Sequence, residues 1–159
     1  MTDTEFVIEP GRQDLIMIRV FDAPPDVVFR VITDPELIPR WWGPDFLTTR
    51  VDRMEVGPGG RWRYVNADAR GREYAFSGVY HAVVAPLRFV RTWEFEGLPE
   101  DVALETVTLE AADGRTRYVA QSVHPSVESR DAIVRADGPR GGRDSMNRLA
   151  ALLTAVADM

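Results

Sequence analysis

Between Phe46 and His124 the chain alternates strand-like runs with short breaks, and one long amphipathic segment follows them. The runs lie near 46–56, 60–67, 73–84, 88–96, 103–111 and 115–124. Gly57-Pro58-Gly59, Asp68-Ala69-Arg70-Gly71, Ala85-Pro86, Gly97-Leu98-Pro99 and Asp113-Gly114 separate them. Asp-Gly between two alternating runs is a hairpin signal, because the tight turn needs positive φ. Connections this short imply an antiparallel meander. The final segment carries Met146, Leu149, Ala150, Leu153 and Val156 at helical spacing. A sheet of this length must bury one face, and that helix is its only large apolar partner. A helix ~10 Å wide cannot fill the concavity of a six- or seven-stranded twisted sheet, so a hollow is expected between them.

Upstream, Leu15 to Phe21 reads as a strand with Ile16, Ile18 and Val20 on one face. Leu15, Met17 and Phe21 share the other, interrupted by Arg19. Residues 1–13 form an N-terminal extension or an edge strand around Phe6-Val7-Ile8. Pro24-Pro25-Asp26 starts a helix striped by Val27, Val28, Val31 and Ile32. Asp34-Pro35 starts a second, Glu36 to Ile38, which Pro39 stops. Near the end, Ser126 caps a short helix through Ala136. Asp137-Gly138-Pro139 interrupts it, and the long helix begins at Pro139 and runs to about Ala157, because proline inside a helix costs ~3 kcal/mol. Gly141-Gly142 weakens that helix, which suggests close approach of its start to the sheet rim.

The two short helices lead to Trp41-Trp42-Gly43-Pro44, and Pro58-Gly59-Gly60-Arg61-Trp62-Arg63-Tyr64 follows. Gly-Pro after two indoles places flat side chains on a loop, a way to build the rim of an apolar pocket.

Composition narrows the function classes. The 159 residues suit a single domain, and 45% hydrophobic content supports a proper core. Cysteine is absent, which removes disulfides and thiolate metal sites. Every basic residue is arginine, so lysine Schiff-base chemistry is excluded. A net charge of -6 with scattered arginines argues against nucleic-acid binding and reads as solvated faces and ion pairs. No run is long enough for a membrane span and the acidic start is no signal peptide, so a cytoplasmic location is expected.

Five stretches carry a resemblance: "FDAPPDVVFRVITDPELIPRWWGP", "PGGRWRYV", "EYAFSGVYHAVVAP", "ETVTLEAADGRTR" and "SMNRLAALL". The chain resembles the START-like (SRPBCC, helix-grip) superfamily. Within it, the chain is similar to the group named after the C-terminal domain of the activator of Hsp90 ATPase. The resemblance implies one α+β domain over residues 1–159, in which a curved antiparallel sheet wraps a long C-terminal helix. Two departures stand out. Ala85-Pro86-Leu87-Arg88-Phe89 replaces the group's Pro-Pro-Glu-Arg-Leu, and Asp137-Gly138-Pro139-Arg140-Gly141 replaces its Gly-Met-x-x-Gly. Members of the superfamily bind lipids, hormones or polyketides, catalyse cyclisation or hydrolysis, or act on chaperones.

The candidate ligand-binding residues are Trp42, Trp62, Tyr64, Tyr80, Trp93, Tyr118 and Leu149. The aromatics also serve as ordinary core residues, but a buried tyrosine hydroxyl needs a partner that a ligand could supply. His81 and His124 show no triad order or metal spacing, so no catalytic residue, metal or cofactor is assigned. Glu94, Glu96 and Glu105 lie on central strands, where one could be a buried base, although alternation favours solvated positions. Arg61 and Arg63 alternate with Trp62 and Tyr64 and point to solvent or carboxylates. The leading expectation is binding of a small hydrophobic molecule between sheet and C-terminal helix, by a monomer or homodimer. An enzyme of cyclase or hydrolase type is the alternative, as is an Hsp90-type activator module. The last ranks lower, since the activators carry an extra N-terminal domain and only about a dozen residues here precede the first core strand.

Overall fold

The computed structural model describes residues 3–157. Eight strands form one antiparallel sheet: β1 (Glu5–Val7), β2 (Asp14–Phe21), β3 (Thr48–Met54), β4 (Arg61–Ala67), β5 (Glu73–Val84), β6 (Arg88–Phe95), β7 (Ala103–Ala112) and β8 (Arg115–Val123). Their spatial order is β1-β2-β8-β7-β6-β5-β4-β3. Phe6 pairs with Met17, so the N-terminal run is an edge strand and brings the sheet to eight strands rather than six or seven.

The helical pieces lie where the sequence breaks its alternation. Helix α1 (Pro25–Ile32) starts on its proline with Asp26 in the first turn, and buries Val28, Phe29, Val31 and Ile32. The Asp34 carboxylate accepts from the Glu36 amide, but no helix spans Glu36–Ile38. A 3₁₀ turn occupies Ile38–Arg40 instead. Pro39 lies inside it near its start, where a missing donor costs little, so it does not act as a stop. These pieces carry the chain from β2 to the far edge, and the meander then returns strand by strand to β2.

Local chemistry explains the tight spots. Asp113 and Gly114 both have positive φ, the turn that Asp-Gly announces. A Cβ on Gly78 would lie 2.7 Å from Trp62 Nε1, and the indole reaches past it to donate to the Thr92 carbonyl at 3.0 Å. The outer face carries ion pairs: Arg63 holds Glu96 through two nitrogens and also reaches Asp52.

Helix α2 (Val127–Arg135) is capped by Ser126, whose hydroxyl accepts from the Ser129 amide. Asp137 then adopts φ 66° and α3 (Gly138–Ala157) begins, one residue ahead of Pro139. Ser145, Met146, Leu149, Leu152 and Leu153 are its buried face, so Leu152 joins the expected stripe. Although α3 has 20 residues, no helix among the described residues is long and apolar enough to cross a membrane.

Candidate functional site: a cavity with a charged floor

The first turns of α3 carry Gly138, Gly141, Gly142 and Ser145 where a core helix would carry large side chains. Deeper along the helix Leu149, Leu152 and Leu153 fill the concavity. A partly open cavity of about 390 Å³ lies against the small-residue turns. Gly142 also sits close to the sheet: a Cβ there would meet Met17 Sδ at 2.9 Å and the Phe6 ring at 3.5 Å. Gly141 makes only ordinary contact with Pro44. Exposed Leu98, Asp137 and Gly138 belong to the lining, so the break between α2 and α3 forms part of the rim.

The tryptophan loop is tied to this helix. Ser145 Oγ accepts from the Gly43 amide at 2.9 Å, and Arg148 donates to the carbonyls of Gly43 and Pro39. Trp42 is thereby turned inward, edge-to-face with Tyr64 at 5.0 Å and with Phe76 at 5.1 Å. Phe76 packs in turn against Trp93 and Phe95, which completes an apolar wall.

The floor is polar and follows from register. Ser122 of β8 stands opposite Glu105 of β7, Glu105 opposite Arg91 of β6, and Arg91 opposite Tyr80 of β5. Arg91 is 5% exposed, in contrast with the expectation that the arginines are solvated. Its Nε donates to Glu105 at 2.7 Å, and Nη1 donates to the hydroxyls of Tyr64 at 3.2 Å and Tyr80 at 3.3 Å. The guanidinium also lies over the ring of Trp62, with Phe89 5.2 Å away. Burial opposes its charge, but Glu105 and the tyrosine oxygens outweigh this, and its pKa stands above the ordinary arginine value. Burial raises the pKa of Tyr64 and Tyr118, so both hydroxyls stay protonated.

A second polar pair stands where β8 ends, with Ser122 on the strand and His124 just past it. Ser122 Oγ lies 3.3 Å from His124 Nε2, and both residues line the cavity. Burial, with the positive charge of Arg130 adding to it, lowers the His124 pKa, which keeps the imidazole neutral near pH 7. Its Nδ1 has no hydrogen-bond partner among the described residues. No three His, Asp or Glu side chains among the described residues converge as a metal site.

Of the residues singled out from sequence, Trp42, Tyr64, Trp93 and Tyr118 line the cavity. Trp62 and Tyr80 do not; each is 1% exposed and supports Arg91 from behind. Leu149 is fully buried and packs where the helix already fills the sheet. Glu105 faces the cavity, against the alternation argument, while Glu96 faces outward and His81 is exposed. Arg91 went unrecognised in the sequence. Its signal was position: it lies two residues from Phe89 and two from Trp93, on their face of the strand.

A curved antiparallel sheet gripping one C-terminal helix, with a lined hollow at the helix's start, defines the START-like, helix-grip class of α+β proteins. The family model described as activator of Hsp90 ATPase homolog 1-like protein matches residues 22–154, and the chain belongs to that family. Solved structures share the fold. A Mycobacterium smegmatis protein is 25% identical with a TM-score of 0.87, and 98% of each chain is covered. A Chromobacterium violaceum protein is 27% identical with a TM-score of 0.80, over 89% of this chain and 96% of the other. An Arthrobacter aurescens protein, at 23% identity, has a TM-score of 0.88 over 95% and 91% of the two chains. No curated protein sequence matches the chain significantly.

Proposed function

We propose that this protein binds a small, mainly apolar molecule in the cavity between sheet and α3. The observation that carries the reading is a partly open space of about 390 Å³, walled by Trp42, Phe76, Trp93 and Phe95. Its volume lies within the range of small-molecule sites, and apolar walls with a few polar groups are their usual make-up. The test is fluorescence of Nile red, a neutral apolar dye, titrated with the protein and with Ala120→Phe. Ala120 lines the cavity, so a phenyl ring there occupies the space. Saturable enhancement that the folded variant loses supports the reading. Absence of binding by the native protein, or equal binding by the variant, overturns it.

A second reading has a specific observation in its favour. Ser122 and a neutral His124 meet on the cavity wall, so His124 could take a proton from the serine or from a water during hydrolysis of an apolar ester. Turnover of aromatic p-nitrophenyl esters, lost in His124→Gln, would support catalysis. Equal rates in protein and variant would remove it.

A further inference from the structure

We infer that the cavity's ligand carries a neutral head that both donates and accepts a hydrogen bond, such as a carboxamide, a phenol or a hydroxyketone. The inference rests on the binding role proposed above and specifies the chemistry of the same site. Three atoms carry it. Arg91 spends Nε on Glu105 and Nη1 on two tyrosines, which leaves Nη2 as a donor with no partner among the described residues. Glu105 uses one carboxylate oxygen on Arg91 and keeps the other. Tyr118 keeps its proton and has no hydrogen-bonded protein partner among the described residues. All three residues line the cavity.

Charge decides which head fits. Arg91 and Glu105 are bonded at 2.7 Å, so the floor is neutral as a whole. A carboxylate reaching Arg91 would bring its charge against Glu105, and an ammonium reaching Glu105 would bring its charge against Arg91. Either adds a third charge to a desolvated pair without a counter-charge. A head without any polar atom leaves the free donor and acceptor sealed from water. A neutral donor–acceptor head meets both. Arg91 is fixed by an aromatic box of Trp62, Tyr64, Tyr80 and Phe89, so it cannot swing to make an anion site.

Calorimetric titration with four probes of one shape tests this: 2-naphthamide, 2-naphthoate, 2-(aminomethyl)naphthalene and 2-methylnaphthalene. The expected result is that the amide binds about tenfold or more tightly than the other three. In Glu105→Gln the order of amide and carboxylate reverses, since Arg91 is then left with uncompensated positive charge. Tyr118→Phe, which leaves the ion pair intact, weakens the amide and spares the hydrocarbon. Tightest binding of the carboxylate or ammonium to the native protein overturns the inference, as does equal binding of amide and hydrocarbon, and both leave the binding role standing. Binding of none of the four, together with no response of Nile red, overturns the binding role itself. The native ranking decides the question even if a variant does not fold.

Discussion

The guanidinium carbon of Arg91 lies 4.0 Å from the centroid of the Trp62 ring. Trp62 was expected to face a ligand, and it faces an arginine instead. The surroundings offset the otherwise costly burial of a charge: the ring offers its electron-rich face, Glu105 supplies the counter-ion, and two tyrosine hydroxyls accept from Nη1.

Replacing Glu105 by glutamine keeps the size and removes the counter-charge. The fold is expected to lose about 2 kcal/mol, the scale of a hydrogen bond to a charged group. The double variant Arg91→Met, Glu105→Gln should recover part of that loss, because no buried charge remains. Urea midpoints measure both. An unchanged midpoint in Glu105→Gln would show that the pair contributes nothing.

Gly78 is a sharper structural test. An added methyl group would meet Trp62 Nε1 at 2.7 Å and sit harder still against the Thr92 carbonyl oxygen. Gly78→Ala should therefore cost about 3 kcal/mol or prevent folding, by forcing the indole and β6 apart. Thermal unfolding and near-ultraviolet circular dichroism would detect the change. A variant as stable as the native protein would contradict the packing described.

Ser145 joins α3 to the tryptophan loop across 102 residues of sequence. Ser145→Ala leaves the Gly43 amide without that acceptor and should cost about 1–2 kcal/mol. Ligand affinity should fall as well, because Trp42 loses an anchor. Leu149→Ala behaves differently. Its side chain is fully buried behind the site, so about 3 kcal/mol of stability should be lost while the isolated folded variant still binds the same probes.

His124 gives the protein an acid-side dependence. Its folded pKa lies below the ordinary imidazole value, first through burial and then through Arg130. As pH falls through about 6.5 the unfolded chain takes up a proton that the folded protein resists, so stability declines until the folded pKa is passed. Above that window the group contributes no slope. Urea midpoints at about pH 7.5 and 5.5 should differ more in the native protein than in His124→Gln. Equal differences would assign the dependence elsewhere. Asp14 acts only in stronger acid: Arg12 and Gln121 hold its pKa at about 2, so its contribution is lost as pH falls from the unfolded carboxylate range toward that value.

The sheet was legible because its signals are local. Alternation in Arg61-Trp62-Arg63-Tyr64 sets two arginines outward and two aromatics inward, and Asp113-Gly114 can hardly be anything but a tight turn. The long helix was legible in outline, because Asp137-Gly138-Pro139 breaks the pattern just where α2 gives way to α3. The site was harder to read. Whether Trp62 or Trp42 touches the hollow depends on what stands in front of each, and Arg91 comes from a strand whose pairing is not written in its own residues. Glu105 misled for a related reason. Alternation gives two faces but does not say which is wet, and a carboxylate is assigned outward unless its buried counter-ion is already known.

Strand β2 lies between β1, a few residues upstream, and β8, roughly a hundred residues downstream. On the ribosome it emerges well ahead of β8 and cannot acquire that neighbour until the intervening strands have been made. Throughout that interval Leu15, Ile16, Met17 and Ile18 present an open, greasy border to other unfinished chains. A transcript truncated before residue 115 would leave that border permanently bare, and such fragments are expected to clump rather than to persist as partial folds.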